Sequence, residues 1–475
     1  MLKPHPARTW QYMHSPFDLL ALLLAISAVL AYFNHKVLKL PLTVGLLVGA
    51  FAGTLLLICL NTVYPNLGLK SDVKHLLEAV NFPVTLLKGF LAFLLFAGAL
   101  QVNSADLLAR KWTILALATL GTILSTGLVA GALLGVSDAL GLGLGLPWCL
   151  VFGALISPTD PVSVIDVLKR AKIPRHLQAT VAAESLFNDG VGVVLFTLML
   201  SLATGGTTSN LGVAHVAGLF LLEAGGGVVL GLALGYLAFL MIRRVDDYNV
   251  ELIISLALAS GTYSLAGILG ASGPVAVVVA GILIGNHDTK LAMSEETREH
   301  LMTFWRLVEE VLNALLFLLI GLEIAVITLY WHNIIAMVAM IPIVLAARWV
   351  SVAASALPLH LNAENKFGSL LILTWGGLRG GLSVAMALSL PDVAAKIPIL
   401  TIAYGIVVFS IVVQGLTLAP VTRRLASYPA PARPEYSRSS PALALRGKRT
   451  QDASSVLITP HPQPLSAVHK SPSDQ

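Results

Sequence analysis

The sequence predicts an all-α polytopic membrane protein, and three observations support this fold class. Hydrophobic residues make up 56% of the 475 residues and charged residues 12%, and the mean hydropathy is +0.83, which is far above that of soluble domains. Windows of about 20 apolar residues, the length of a helix that crosses a bilayer core, recur about thirteen times. Within these windows apolarity is continuous and does not alternate, which excludes a β-barrel.

Each apolar window is predicted to be one membrane-spanning helix. The first follows Lys3 and Arg8 as a signal peptide would, but it lacks a small-residue cleavage site and a second window follows at once, so it counts as span one. The ninth is short and follows a Gly-Pro break at 273–274. The predicted spans are 16–34, 40–60, 82–101, 111–135, 147–168, 178–203, 211–243, 249–270, 273–286, 303–329, 332–357, 367–390 and 396–422.

Lysine and arginine in the short loops predict the orientation of the chain. The loops after spans one, three, five and seven are basic, whereas the loops after spans four, six and eight carry no basic residue. Because basic loops stay in the cytoplasm, we expect the N-terminus outside and the C-terminus inside. Lys70 and Lys74, together with Lys3 and Arg8, do not fit this pattern. The loop residues that set the orientation are Lys36, Lys39, Arg110, Lys111, Lys169, Arg170, Lys172, Arg175, Arg243 and Arg244.

The sequence lacks the motifs of ATP-driven and redox-driven proteins. No Walker lysine, haem attachment motif or zinc-spaced cysteine set is present, so neither an enzymatic activity nor a cofactor is expected. Cys59 and Cys149 are isolated thiols and are expected to pack as ordinary apolar residues. Residues 426–475 are rich in Pro, Ser and Ala and are predicted to form a disordered cytoplasmic tail.

Two predicted spans are interrupted. Span five contains Ser-Pro-Thr-Asp-Pro at 157–161, where prolines remove backbone donors, and span twelve contains Gly-Gly-Leu-Arg-Gly-Gly at 376–381. These breaks occupy corresponding places if spans 1–6 and 8–13 are inverted repeats joined by span seven. Paired interrupted helices are the best sequence indication of a transporter's binding site at the bilayer midplane.

Charged residues cluster around the two breaks. Asp160 lies in the first break and Arg379 in the second, while span six carries Glu184 and Asp189, and span eleven carries Arg348. Helical spacing places Glu184 beside Asn188, and Ser185 beside Asp189. If each of the two arginines pairs with one of the three acids, one acid remains without a counter-charge. A cluster of hard oxygen ligands suits a small cation or a proton.

Other interpretations of the polar residues remain open. The five charges could be structural pairs that hold helices together, with Asp189 neutralised by a proton. Glu309, Glu310, Asn313 and Glu323 around span ten would suit either the lining of an interface or funnel, or solvated helix ends. The charged loop from His287 to His300 is expected to be solvated, and a pH-sensing role is the alternative.

Three segments together resemble the NhaP/NHE-type sodium/proton exchangers of the cation:proton antiporter superfamily. They are Ser-Pro-Thr-Asp-Pro-Val at 157–162, Glu-Ser-Leu-Phe-Asn-Asp-Gly at 184–190 and Gly-Gly-Leu-Arg-Gly at 376–380. The resemblance implies about thirteen helices in inverted repeats, a homodimer, and a core domain (111–204 and 332–424) that moves against a dimerisation domain (spans 1–3 and 7–10). It also favours a bacterial-type member in the plasma membrane, because the large C-terminal regulatory domain of animal exchangers is absent.

The resemblance also implies roles for individual residues. Asp189 would bind the cation or the proton, and Glu184 would pair with Arg348, as Asp160 would with Arg379. The expected residues around the ion are Thr159, Asp160, Ser185, Asn188 and Asp189.

The expected function is exchange of Na⁺ or Li⁺ for H⁺ by alternating access, with one cation exchanged for one proton. The alternatives are a K⁺/H⁺ antiporter of the same fold and, from a different class, a cation channel. The same oxygen ligands serve all three cations, so the sequence does not distinguish among them. The expected partners are therefore a monovalent cation, a proton, membrane lipid and a second copy of the chain, with no nucleic acid.

Overall fold

A computed structural model shows a bundle of helices, and no strand occurs within the residues that it describes. The predictions for the basic N-terminus, for most of 161–174, for the loop at 287–294 and for the tail at 426–475 lie outside the described residues. The described residues are 16–64, 73, 76–77, 79–160, 164, 175–205, 213–245, 247–286, 295–325, 327–328, 330–356 and 366–425.

The described part of the first half contains eight helices of six or more residues and one single helical turn, Phe82–Thr85. Wider π-helical turns follow the first helix and precede the third and the sixth, at Asn34–Leu38, Leu86–Phe90 and Leu117–Gly121. The helices are α1 (Pro16–Phe33), α2 (Leu42–Val63), α3 (Leu91–Leu100), α4 (Ser104–Ala109), α5 (Lys111–Ala116), α6 (Thr122–Leu140), α7 (Leu146–Ile156) and α8 (Arg175–Ala203).

The described part of the second half contains nine helices. A fourth π-helical turn, Ser410–Gln414, lies between the last two of them. The helices are α9 (Val213–Ile242), α10 (Tyr248–Leu269), α11 (Gly273–Gly285), α12 (Glu295–Glu323), α13 (Trp331–Ala356), α14 (Lys366–Trp375), α15 (Gly381–Leu388), α16 (Lys396–Phe409) and α17 (Gly415–Leu425).

The predicted membrane architecture is confirmed in its coarse form. In the described part of the chain, eight continuous helical stretches are long and apolar enough to cross a membrane, and three shorter helices, α3, α7 and α11, are also apolar. Large apolar side chains are exposed on α1, α2 and α9, among other helices, as expected where a helix faces lipid rather than water. The protein is therefore an integral membrane protein built from helices.

Helix ends follow from local sequence. The Asp247 carboxylate accepts a hydrogen bond from the Asn249 N–H (2.9 Å), which caps the start of α10. That helix ends at Gly270, whose φ of +69° is a left-handed conformation that glycine adopts without strain. Two residues later the Ser272 hydroxyl accepts a hydrogen bond from Val275 N–H (3.4 Å), and α11 begins. A turn of three residues thus separates two apolar helices.

Helix packing places the interrupted segments among buried helices. Helix α7 packs between α6 and α8, and α13 packs against α6 and α16, while α15 packs against α16. Elsewhere α2 packs against α12, α3 against α11, and α9 against α10 and α11. Whether these sets move as separate domains stays a prediction.

Candidate functional site

The first interruption follows the end of α7. Helix α7 stops at Ile156, and residues 157–160 are not helical. In a continuous helix the Ser157 carbonyl would accept a hydrogen bond from residue 161, but that residue is Pro161, which has no N–H. The break therefore presents a buried carbonyl group that needs a donor from elsewhere in the protein.

The second interruption lies between α14 and α15 and crosses the first. Residues 376–380 are not helical, and the Leu378 carbonyl accepts a hydrogen bond from the Asp160 N–H at 2.7 Å. At Gly380, a Cβ atom would lie 2.6 Å from the Asp160 Cβ, so only glycine allows this approach. The two breaks, which are more than 200 residues apart in sequence, are thus joined backbone to backbone.

Arg379 bridges the two breaks. Its Nη1 donates to the carbonyls of Ser157 and Pro158, at 2.9 Å for the latter, and it thereby supplies the donor that Pro161 lacks. The expected ion pair with the Asp160 carboxylate is therefore corrected: the guanidinium binds backbone oxygens two and three residues earlier. A buried carbonyl without a helical donor competes successfully for an arginine because leaving it unpaired is costly.

A polar cluster lies where the first break meets α8. The Asn188 amide oxygen accepts from the Thr159 N–H (3.1 Å), and its nitrogen donates to the Thr159 hydroxyl (2.8 Å) and to Glu184 (2.7 Å). The hydroxyls of Thr159 and Ser185 share a hydrogen bond of 2.9 Å. All four residues are almost fully buried. The predicted contact between Glu184 and Asn188 is therefore present, whereas the Ser185 hydroxyl bonds to Thr159 of the break.

Glu184 and Arg348 form a bidentate ion pair. Arg348 Nη1 and Nη2 lie 3.0 and 2.9 Å from the two carboxylate oxygens of Glu184, and the side chains are 3% and 1% exposed. The pairing that the resemblance implied is present in the structure. Since Glu184 also accepts from Asn188, its charge is fully engaged and it is not free to bind an ion.

Asp189 stands apart from these bonds. Within the described part of the chain, its carboxylate has no hydrogen bond or ion pair. Asp189 is partly exposed, and it lines a cavity of about 70 Å³ together with Asp160. A cavity of this size has room for several water molecules. Both carboxylates are thus accessible to a small hydrated ion.

Residues of α12 complete the polar side of this cavity. Glu309 and Asn313 line it opposite the breaks, and Glu309 accepts a hydrogen bond of 2.6 Å from Gln101. Of the two interpretations of these residues, lining of an interface is the one the structure favours for Glu309 and Asn313. Much of the remaining lining is leucine, contributed by α3 and its preceding turn and by α8, α12 and α15.

The sequence analysis did not identify several polar residues, on α6 and on the last span, that hold the two breaks through hydrogen bonds. The Ser157 hydroxyl donates to the Ser125 hydroxyl at 3.0 Å, and Ser410 accepts from the Arg379 N–H at 2.9 Å while donating to Gln414 at 2.6 Å. Serine in an apolar helix is a weak signal because its hydroxyl can bond to its own helix. Of these residues, only Gln414 gives a sequence signal for a buried polar contact, because it is an amide within an apolar span.

Comparisons with known proteins agree with this arrangement. A family model described as "Sodium/hydrogen exchanger, transmembrane" matches residues 24–424. The chain is 42% identical over 413 residues to the Na⁺/H⁺ antiporter NhaP of Pseudomonas aeruginosa, covering 86% of this chain and 96% of that protein. It is 37% identical over 417 residues to the Na⁺/H⁺ antiporter NhaH of Halobacillus dabanensis, covering 87% and 98%.

A solved structure has the same fold. The sodium proton antiporter MjNhaP1 from Methanocaldococcus jannaschii superposes with a TM-score of 0.66 at 22% identity, covering 86% of this chain and 98% of the other. At that identity the likeness concerns the fold, and the site has to be argued from the residues of this chain.

Proposed function

The chain belongs to the transmembrane sodium/hydrogen exchanger family, and we propose that it is an antiporter that exchanges Na⁺ for H⁺ across a membrane. Relatives that carry the name Na⁺/H⁺ antiporter match nearly their whole length. Secondary exchange needs a site that a cation and a proton occupy in turn, and a buried carboxylate meets that need.

The observation that carries the proposal is the isolation of Asp189. Among the three acids around the breaks, Glu184 is bound by Arg348 and Asn188, whereas Asp189 has no such partner in the described residues and lines the cavity. A charged carboxylate in a membrane interior is costly, and the residues that persist there commonly mark ion or proton pathways. Binding Na⁺ or H⁺ neutralises it, and the two occupants exclude each other.

The oxygens around Asp189 suit a dehydrated monovalent cation. Asp160 shares the cavity with Asp189, and the hydroxyls of Thr159 and Ser185 lie 2.9 Å apart beside the break. We propose that oxygens of these four residues contact the ion. The amide of Asn188 is occupied by Thr159 and Glu184, so its contribution is to hold the break against α8.

We propose that transport proceeds by alternating access. The proposed architecture has thirteen spans as inverted repeats, with spans five and twelve discontinuous. The core (111–204 and 332–424) moves against the dimerisation part (spans 1–3 and 7–10) of a homodimer. The position of the cavity between the breaks and the turns around α3 supports a site at a moving interface. We further propose a plasma-membrane location with the N-terminus outside.

We also propose that the exchange is electroneutral, with one cation exchanged for one proton. Glu184 is neutralised by Arg348, and Asn188 does not titrate. The proposal requires that Asp160 keep its charge throughout the cycle, with the nearby Arg379 compensating for it. Asp189 is then neutral in both loaded states, so no net charge crosses the membrane.

Substitution of Asp189 tests the proposed function. In everted vesicles, Asp189→Asn should abolish cation-induced collapse of a pH gradient, because the amide cannot exchange a proton for a cation, while its size preserves packing. Asp392→Asn, which alters an acid 96% exposed on the surface, is the matched control and should retain full exchange.

The choice of cation separates the alternatives in the same assay. Na⁺ and Li⁺ should each collapse the gradient, and a response to K⁺ alone would indicate the potassium/proton antiporter instead. A channel would be indicated by a separate measurement, uptake of radioactive Na⁺ into the same vesicles that does not saturate and does not depend on the pH gradient. Retained exchange by Asp189→Asn at normal expression would contradict the assignment of this residue.

A further inference from the structure

The last membrane-spanning stretch contains a buried polar pair within its π-helical turn. Ser410 and Gln414 are the first and last residues of this turn, and they are 0% and 2% exposed. The Ser410 hydroxyl donates to the Gln414 side-chain oxygen at 2.6 Å. Four residues of an α-helix advance about 40° beyond a full turn, whereas the wider π-helical turn brings such residues closer to alignment.

This pair holds both ends of the second break. The Arg379 backbone N–H donates to the Ser410 hydroxyl at 2.9 Å, and the Gln414 side-chain nitrogen donates to the Trp375 carbonyl at 3.3 Å. The intervening segment contains Gly376 and Gly377, and glycine is the residue that loses most conformational freedom on ordering. The two bonds therefore tie both ends of this segment to the last span, in addition to the bonds that join it to the first break.

The position of the second break determines the position of Asp160. Leu378 lies between the two anchored residues, and its carbonyl accepts the Asp160 N–H at 2.7 Å. The Arg379 side chain reaches the carbonyls of Ser157 and Pro158 from the same segment. A displacement of the second break therefore displaces the Asp160 backbone, and its carboxylate with it.

The first break is anchored in a similar way. There the Thr159 N–H donates to the side chain of Asn188 on α8, and in the second break the Arg379 N–H donates to the side chain of Ser410. In each case a polar side chain from the span that follows the break binds a backbone N–H within it. The second half of the chain thus has an anchor like that of the first, with Ile411 next to Ser410 where Asp189 is next to Asn188.

We propose that Ser410 and Gln414 are positioning residues of the ion site, which act through Leu378 to hold the Asp160 oxygens at the distance that the cation requires. This inference rests on the proposed exchange of Na⁺ for H⁺ at Asp160 and Asp189. Residues behind the direct ligands commonly change metal affinity by about tenfold or more when they are removed.

The test measures Na⁺ dependence of exchange in everted vesicles for Ser410→Ala and Gln414→Met. Each variant should raise the KM for Na⁺ about tenfold, while the maximal rate per folded protein stays within about twofold, because the chemistry at Asp189 is untouched. The double variant should resemble the single variants, since the two residues act as one unit. Ser410→Thr, which keeps the hydroxyl, should have the same KM for Na⁺ as the wild type.

Thr401→Val is the matched control. Thr401 lies in α16 of the same span, is 1% exposed, and donates only to the Ile397 carbonyl of its own helix. It should leave the KM unchanged. A second measurement, protection of the purified protein from heat by increasing Na⁺, should show the same shift in half-saturation for Ser410→Ala or Gln414→Met.

The outcomes distinguish the inference from the proposed function. If wild-type vesicles exchange Na⁺ for H⁺ and either folded variant has the KM of Thr401→Val, the positioning role is wrong although the antiporter assignment holds. A fall in folded protein with an unchanged KM would likewise show that the pair is only structural. If the wild type does not exchange Na⁺, the proposed function itself fails.

Discussion

The ion pair between Glu184 and Arg348 leads to a prediction about stability that does not depend on transport. The pair joins α8 to α13 and is almost fully buried. We predict that Glu184→Gln and Arg348→Gln each destabilise the protein more than the double variant does. Each single variant leaves one buried charge without its counter-charge, whereas the double variant leaves two neutral amides.

The magnitude follows from the geometry. The nitrogen to oxygen distances are 2.9 and 3.0 Å, and opposite charges about 4 Å apart attract by about 4 kcal/mol at an effective dielectric constant of about 20. Removing one partner of a buried pair costs about 3–5 kcal/mol in measured cases. In the double variant that penalty disappears, so the coupling between the two positions should reach at least about 2 kcal/mol.

The assay is thermal unfolding of the purified protein in detergent, followed as the fraction that stays monodisperse after heating. The control is the Asp392 and Lys396 pair, which has the same 2.9 Å separation but is exposed on the aspartate side. Exposed pairs contribute little to stability, so its single variants should leave the midpoint unchanged. If the midpoint shifts of the Glu184 and Arg348 variants simply add, the two residues are not energetically coupled and the reasoning is wrong.

Two further predictions concern the crossing of the breaks and the charge balance. Gly380→Ala should reduce exchange at least about tenfold. Its Cβ would lie 2.6 Å from the Asp160 Cβ and would displace Asp160, and the groups of a binding site must be held to within about half an ångström. Gly53→Ala, where a Cβ meets no atom within 4 Å, should retain exchange, and equal activity of both variants would contradict the prediction. In proteoliposomes with fixed ion gradients, a membrane potential of about 100 mV should leave Na⁺ flux unchanged. Moving one net charge across such a potential would change the free energy by about 2.3 kcal/mol, but an electroneutral cycle moves no net charge. A flux that varies systematically with potential would show that a second group, Asp160 first of all, changes its charge.

The sequence predicted the coarse membrane architecture because hydrocarbon imposes a length and a composition on each span, while the number of thirteen spans stays a prediction. It also placed Glu184 beside Asn188, since helical spacing decides that contact. The partner that the resemblance implied for Arg379, the Asp160 carboxylate, was wrong, because the guanidinium binds backbone carbonyls instead. The Ser157 carbonyl becomes an acceptor only through Pro161, a consequence visible in the sequence once the helical bonding pattern is followed residue by residue.

The anchoring residues could not be predicted for a different reason. Ser410 binds Arg379 and Gln414 binds Trp375 from a π-helical turn in the last span. No local sequence rule predicts such a turn. Likewise, Glu309 and Asn313 line the cavity through the packing of α12 near the breaks. Such contacts depend on tertiary structure, which span prediction does not supply.

The long separation between Glu184 and Arg348 also has a consequence for the synthesis of the protein. The two residues are 164 positions apart in the chain, and ribosomes add about 5–20 residues per second. Glu184 therefore emerges roughly 10–30 s before its arginine. During that interval the nascent first half carries an acid without its counter-charge, and burying that acid in the membrane stays costly until the second half supplies Arg348.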